Sequence, residues 1–462
     1  MSALPSKTRS NGRLGMLDAL RFLAAFSVVM FHFTARNSPA WGGPVPAAMD
    51  GVGQWTLYGR LGVNLFFVIS GFVLLMSSWG KDLPSFVASR VGRLFPAYWV
   101  SAAGSIALVL YIWPGNPLFF GERITTSSAL LNLTMVQSAF GAPNVEGVYW
   151  TLWYEARFYF LIALLMLVGM TRKRILAFAA LWPIAGSLAS GAGSSLLTTV
   201  LMPDYAPFFA AGMLLYLIYR DGHDLGSWLL VGMNALFALD YSLRVVAPTL
   251  ANTSRWQPSS VGTALCTFAC FALVALVTLT PVARWNARWM SVAGALTYPI
   301  YLVHENFGWA VIRGLHASIG PWGAVLVATI CALAGATGLH YLVERPFGAR
   351  LRRATLAMLN SAGRPGTPAQ RASADHAIAP DHAISTDRAI APDHAIARDH
   401  AIAPDSTLAT RRHERAGSHR SRVPGPRLDN HPPAPPTRPV PTAPHSARPA
   451  HEPTHQVASP RS

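Results

Sequence analysis

Ten long stretches of mostly apolar residues alternate with short polar segments over the first 343 residues of the chain. Each is close to the ~20 residues that a helix needs to cross the hydrocarbon core of a bilayer. Because lipid offers the backbone no hydrogen-bond partner, such stretches cross a membrane as helices. The stretches cover 16–35, 61–79, 95–113, 150–170, 175–192, 205–219, 226–246, 261–281, 290–312 and 322–343. The sequence therefore predicts an all-α protein, a polytopic membrane bundle of about ten transmembrane helices.

Basic residues cluster in every second polar segment. Only 13% of the 462 residues are charged, yet the net charge is +16. Segments 81–93, 172–174 and 284–288 each hold two or three Lys or Arg, whereas the five alternate segments hold five Arg between them. The positive-inside rule assigns the richer segments to the cytoplasm. We therefore expect a multi-pass protein with both termini cytoplasmic. We expect no nucleic-acid partner, since these charges set topology and form no single basic face.

The chain changes character after residue 347. We divide it into a cytoplasmic N-terminal segment (1–15), a membrane domain (16–347) and a C-terminal tail (348–462). Within the tail, residues 375–404 repeat a six-residue unit that begins DHAIAP, and the segment beyond is rich in Pro, Arg, His and Ser. Such a composition buries too little apolar surface to offset chain entropy. We expect a disordered, low-complexity cytoplasmic tail.

Ionisable residues inside the apolar stretches are the first candidates for a functional site, because they are costly in lipid. Arg21 and His32 lie in the first stretch, eleven residues apart. This spacing is roughly three helical turns, so the two side chains share one face about 16 Å apart along the axis. Both must point into the bundle or a water-filled cavity. A histidine placed there can act as a general base or as a nucleophile.

Two further charged motifs accompany this pair. Arg90 and Arg93, in RVGRLFPAYW, lie one turn apart where the third stretch begins. Two guanidiniums at this spacing can clamp phosphate groups, although the same charges could serve only to set topology. Glu155, in WTLWYEARFYF, needs a partner within the membrane, either His32 or the hydroxyl of an acceptor. Beside His32 it would orient the imidazole ring.

Three other positions are candidates for acceptor binding or for structure alone. Ser70, in GVNLFFVISGFVLL, can hydrogen-bond across helices beside Gly71, which permits close helix approach. Trp150 belongs to an aromatic belt at the membrane interface. His304, followed by Glu305 in YPIYLVHEN, lies deep in the ninth stretch. The three cysteines lie in apolar stretches, and we expect no metal site.

In this order, the motifs resemble those of the acyltransferase-3 family, integral-membrane O-acyltransferases. The match runs over 17–347 and includes the spacing of Arg21 and His32, FFVISGF, the pair Arg90 and Arg93, WTLWYEARFYF, YPIYLVH and the closing ERP. The resemblance implies ten helices and a catalytic His32 that acts as base or acyl carrier. It also implies that Arg21 is the companion of His32 and that Arg90 and Arg93 bind the donor.

The resemblance further implies the reaction and its partners. The expected reaction moves an acyl group, most often acetyl, from cytoplasmic acyl-CoA to a hydroxyl of a sugar or glycoconjugate acceptor. Acyl-CoA is then a co-substrate, no cofactor is held permanently, and membrane lipid is the other partner. A composition rich in Ala, Arg and Pro is typical of a GC-rich bacterial genome, so we expect the bacterial inner membrane.

The rival hypothesis is a polytopic transporter or a glycan flippase that uses the intramembrane Arg, His and Glu residues as a substrate or proton site. The sequence shows no inverted repeat, and a transporter does not need two arginines at a helix mouth. These observations favour acyl transfer.

Overall fold

The computed structural model describes residues 14–112 and 124–362. Within these ranges the chain is almost entirely helical. The α-helices are α1 Gly15–Thr34, α2 Asp50–Thr56, α3 Gly62–Ser78, α4 Leu83–Ala107, α5 Thr126–Asn132, α6 Trp150–Val168, α7 Arg172–Gly191, α8 Ser195–Leu201, α9 Ala206–Asp221, α10 Leu225–Tyr241, α11 Ala247–Thr253, α12 Ser260–Leu279, α13 Arg288–Leu339 and α14 Arg345–Ala362. The N-terminal segment up to residue 13 and the tail from residue 363, with its six-residue repeat, lie outside the described residues.

The length and composition of the helices confirm the predicted membrane bundle. Nine helical segments in the described part of the chain are long and apolar enough to cross a membrane. The last of them, Arg288–Ala362, includes α13, which bends at Gly320. Gly320 has φ 73° and ψ 169°, a conformation that only glycine adopts readily. The bend divides α13 into two limbs, which accounts for the ninth and tenth predicted spans.

Helices α1 and α13 pack side by side and run in the same direction. Asp18, near the start of α1, faces Gly294, and Phe33, near its end, faces Gly308. A Cβ atom at Gly308 would overlap the Phe33 ring, so the close approach requires glycine there. His304 lies one turn before Gly308, so this pairing brings it to His32.

Helices α3 and α9 cross where two glycines meet. A Cβ atom at Gly71 would strike the backbone carbonyl of Phe209, and one at Gly212 would strike that of Val68. The glycine of the FFVISGF motif therefore permits close helix packing, as predicted.

The C-terminal boundary of the membrane domain differs from the prediction. We expected the membrane domain to end at 347 and the tail to begin at 348, but α14 continues to Ala362. Pro346 follows the π-helical turn His340–Glu344, which joins α13 to α14, so the chain stays helical through the proline. Gly348 lets α14 pack directly on α4 at Gly92. Helical structure that packs on the bundle therefore extends past the predicted boundary.

Candidate functional site

A cavity of about 340 Å³ lies where α1 ends and α6 begins. Its polar and aromatic lining residues are His32, Arg36, Arg60, Asn144, Trp150, Thr249, Thr253, Tyr301 and Asn306. Residues 143–145, 147 and 148 of the loop before α6 form part of its wall. We call it the histidine cavity.

His32 is buried at the wall of the histidine cavity, with 5% of its surface exposed. Its Nδ1 lies 2.9 Å from the Val28 carbonyl oxygen and 3.1 Å from Nε2 of His304. On its other side, Nε2 lies 3.5 Å from Oε1 of Glu305. The same carboxylate oxygen accepts a hydrogen bond of 3.0 Å from Nη1 of Arg36. His32 is thus held between a second histidine and a carboxylate.

The hydrogen bonds of His304 determine which nitrogen of His32 carries a proton. Nδ1 of His304 lies 3.1 Å from the Ile300 carbonyl oxygen and 3.0 Å from that of Tyr301. Carbonyls only accept, so the neutral ring holds its proton on Nδ1 and its Nε2 is an acceptor. Nδ1 of His32 must then be the donor toward His304. The lone pair of His32 is left on Nε2.

A smaller cavity of about 70 Å³ is lined by two further charged residues of the membrane helices, Arg21 and Glu155. Ser70 also lines it, together with the side chains of Tyr298 and Tyr301. The Ser70 hydroxyl donates to Oε1 of Glu155 over 3.4 Å, and Arg21 approaches Asp18 to 4.0 Å. We call this space the arginine cavity.

The structure therefore corrects the proposed pairing of Glu155 with His32. Glu155 lies on the face of α6 that meets Ser70 of α3, so its partner is the serine hydroxyl. The carboxylate beside His32 is Glu305, because α13 runs along α1. An acidic residue deep in an apolar stretch was the available signal for Glu305, but sequence alone could not show which helix it faces.

The two cavities meet at a common wall. Val63 and Tyr301 line both of them. The Tyr301 hydroxyl lies 2.8 Å from the Thr151 hydroxyl and 3.3 Å from the Val148 carbonyl oxygen. Val63 and Tyr301 therefore form the wall between the cavities.

Arg90 and Arg93 line neither cavity, but Arg90 lies close to the arginine cavity. Its guanidinium carbon is 5.9 Å from the Tyr159 ring centroid, and Tyr159 also neighbours Glu155. Nη2 of Arg90 donates to the Ser89 hydroxyl over 3.0 Å. Its Nε is buried and has no hydrogen-bond partner among the described residues. Arg93 follows one turn later on α4.

Two arginines and two polar side chains of the histidine cavity were not predicted. Arg36 and Arg60 were assigned to a loop as topological charges, yet both line the cavity. The Arg60 guanidinium lies 5.0 Å from the Trp150 ring centroid, which gives Trp150 a cation–π partner. Asn306 and Asn144 complete the polar wall. Loop arginines carry no sequence signal that separates these roles.

A buried carboxyl braces the wall behind Asn306. Glu146 is fully buried, and its Oε1 accepts a hydrogen bond of 2.6 Å from the Ser105 hydroxyl. Its Oε2 accepts one of 3.2 Å from the Asn306 backbone N–H. Burial raises the pKa of the Glu146 carboxyl well above its ordinary value, and the nearby Glu305 carboxylate raises it further. Glu146 therefore links α4, the loop before α6 and α13.

This fold and site define a multi-pass membrane protein in which a buried histidine lines one of two adjoining polar cavities. The chain belongs to the acyltransferase-3 family, since the family model described as "Acyltransferase domain" matches residues 15–341. The family predicted from the motifs is thereby confirmed.

Individual relatives are more distant. The chain is 30% identical to nodulation protein 10 of Rhizobium leguminosarum bv. viciae over 205 residues, which cover 39% of this chain and 53% of that protein. It is 26% identical to the exopolysaccharide production protein ExoZ of Rhizobium meliloti over 360 residues, covering 68% and 98%. It is 24% identical to the peptidoglycan O-acetyltransferase OatA of Listeria monocytogenes over 166 residues, covering 33% and 24%.

The chain spans about half the length of some curated relatives that it matches, 57% and 53% in two cases. No solved structure matches the chain significantly.

Proposed function

We propose that the protein is a membrane O-acyltransferase that moves an acyl group, acetyl in the first instance, from acyl-CoA to a hydroxyl of a sugar or glycoconjugate. The observation that carries this proposal is the position of His32. Its Nε2 lone pair lies at the wall of one cavity, beside Glu305, and that cavity adjoins a second one containing Arg21. The names of ExoZ and OatA, which refer to an exopolysaccharide and to peptidoglycan, support a carbohydrate acceptor.

In the reaction, Nε2 of His32 accepts the proton of the acceptor hydroxyl while the oxygen attacks the thioester carbonyl. The resulting imidazolium faces Glu305, which compensates the new positive charge. Collapse of the tetrahedral intermediate breaks the C–S bond, and the CoA thiolate takes the proton back from Nε2. General-base catalysis accounts for the carboxylate beside Nε2, so we prefer it to an acyl-histidine intermediate.

The donor enters from the side of Arg90 and Arg93, which bind its phosphate groups through charge-assisted hydrogen bonds. Its acyl end passes through the arginine cavity and beside Tyr301 to reach His32. Within the arginine cavity, the Arg21 guanidinium stabilises negative charge on the donor. The acceptor occupies the histidine cavity. In this arrangement the donor side and both termini are cytoplasmic, and the membrane is the bacterial inner membrane.

The direct test is acetyl transfer by the purified full-length protein in lipid nanodiscs, with radiolabelled acetyl-CoA and a panel of sugars. His32→Ala should abolish transfer while acyl-CoA binding stays near normal. His316→Ala is the matched control, because Nδ1 of His316 also bonds a carbonyl of its own helix, that of Ile312 at 3.0 Å. Substantial transfer by His32→Ala at normal membrane levels would refute the mechanism. Isolation of an acyl-histidine by rapid quench would instead show that His32 carries the acyl group covalently and does not act only as a general base.

A further inference from the structure

Arg60 is a cation in the histidine cavity whose charge no described carboxylate balances. It lies on the short 3-10 helix Leu57–Leu61 that leads into α3. Its neighbours, the Trp150 ring and the Tyr205 phenol, are uncharged. Nη1 of Arg60 is buried and has no hydrogen-bond partner within the described ranges.

The other charges of this cavity are compensated. Arg36, the second arginine of the wall, forms an ion pair of 3.0 Å with Glu305. No described Asp or Glu side chain lines the cavity, and no carboxylate in the described part of the chain lies within 4.0 Å of the Arg60 guanidinium. A half-buried cation whose charge no described carboxylate balances is suited to a ligand that supplies the anion.

A second polar group without a partner among the described residues belongs to the same wall. The Asn306 side chain donates through Nδ2 to the Val145 carbonyl oxygen over 2.7 Å, which fixes the orientation of the amide. Its Oδ1 is buried, lacks a hydrogen-bond partner among the described residues, and belongs to a residue of the cavity wall. Among the described residues, the cavity wall therefore contains one guanidinium that no carboxylate balances and one amide oxygen without a hydrogen-bond partner.

We propose that the acceptor substrate is an acidic sugar, one that carries a carboxylate, and that Arg60 binds this carboxylate. Asn306 accepts a hydrogen bond from a sugar hydroxyl in the same site. One uncompensated guanidinium matches a monoanion, and its planar fork fits a carboxylate. This inference rests on the proposed function, whose acceptor it assigns to a chemical class.

The test compares methyl β-D-glucuronide with methyl β-D-glucoside, which differ only in a carboxylate or a hydroxymethyl group at C5. Binding of each to the full-length protein in nanodiscs is measured by calorimetry without any acyl donor. The parent should bind the glucuronide at least about tenfold more tightly, the range expected for one charge-assisted hydrogen bond. Arg60→Gln should remove this preference and leave glucoside binding unchanged, which also shows that the variant is folded.

Arg255→Gln is the matched control. Arg255 is also a loop arginine that neighbours a tryptophan, but it pairs with Asp50 at 3.4 Å and does not line the cavity. It should keep the full preference for the glucuronide. Equal affinity of the parent for both glycosides, or a preference that survives in Arg60→Gln, would overturn the proposal.

Transfer assays separate this inference from the proposed function. Because the binding assay contains no acyl donor, Arg60-dependent glucuronide binding without any acetyl transfer would contradict only the proposed function. Where transfer occurs, Arg60→Gln should raise KM for the glucuronide about tenfold or more and leave kcat unchanged. An equal loss of kcat on both glycosides would instead assign Arg60 to the transition state and overturn the acidic-sugar proposal.

Discussion

At the scale of single residues, the surroundings of His32 are set by side chains on another helix. Nε2 of His304 accepts a hydrogen bond from Nδ1 of His32, and Glu305 lies beside Nε2 of His32. Neither contact follows from the spacing of Arg21 and His32. The catalytic proposal therefore depends on two residues of α13 as much as on the histidine itself.

We predict that His304→Ala lowers kcat about tenfold or more, because the His32 ring then loses the hydrogen bond to His304 that orients it, while the Val28 carbonyl still keeps the proton on Nδ1. His304 acts through His32, so KM for donor and acceptor should change little. His304→Gln, whose amide oxygen can still accept a hydrogen bond, should recover part of the rate. Steady-state kinetics of the parent, His304→Ala and His304→Gln test this prediction, with His316→Ala as the control. Full activity in His304→Ala would contradict the positioning role.

The buried carboxyl of Glu146 predicts how the stability of the fold changes with pH. Its pKa is raised by burial, so the carboxyl stabilises the fold most below its unfolded pKa of about 4.3. This stability is lost as pH rises through the higher folded pKa. Glu146→Gln keeps a similar shape without the titration, so its Tm should fall less than that of the parent between pH 5 and pH 9. Tm is measured by fluorescence in detergent. If the Tm of Glu146→Gln and that of the parent change equally with pH, Glu146 does not contribute to the pH dependence of stability.

At the scale of elements, α4 places two guanidiniums one turn apart beside the arginine cavity. The Arg90 guanidinium lies near the Tyr159 ring, and its buried Nε has no hydrogen-bond partner among the described residues. Arg93 follows one turn later on the same helix. The packing of α14 against α4 at Gly92 holds this segment in place. The packing of α14 therefore supports the segment of α4 that we propose binds the donor phosphates.

We predict that Arg90→Ala and Arg93→Ala each weaken acyl-CoA binding about tenfold or more, because each charge-assisted phosphate contact is worth ~1.5–3 kcal/mol. Binding of the sugar acceptor should be unchanged. Lysine at either position should restore the affinity only in part, since it lacks the planar fork. The exposed Arg284 is the control, and Arg284→Ala should bind acyl-CoA like the parent. Variants that bind acyl-CoA normally but insert poorly would show that the pair sets topology only.

At the scale of the whole molecule, the described part of the membrane domain includes α14, which continues past the predicted boundary at 347 to Ala362. The contact of Gly348 with Gly92 makes α14 part of the bundle. The six-residue repeat follows later in the chain, at 375–404, and contributes none of the described site residues.

We predict that a chain ended after Ala362 retains nearly full acyl transfer, because every described site residue precedes this point. A chain ended after Glu344 lacks α14 and should lose at least about tenfold in acyl-CoA binding, since α4 then loses its support beside Arg90. Both are compared with the full chain at equal membrane levels. Loss of transfer in the longer truncation, despite normal insertion, would assign a function to the tail.

The sequence by itself determined the all-α membrane bundle, the family and the motif residues His32, Arg21, Arg90 and Arg93. These features depend on local properties: the length of apolar stretches, the cost of charge in lipid, and fixed spacings along one helix. Such properties are readable without knowing which helices touch.

Only the tertiary structure decided which charges meet. It paired Glu155 with Ser70, set Glu305 and His304 around His32, and brought Arg60 from a loop into the histidine cavity. These contacts join residues that are far apart in the chain, and they depend on close helix packing such as that of Gly308 against Phe33. Apolar patterning shows that a helix is buried in the membrane, but many neighbours satisfy the same pattern, so packing must select the partner.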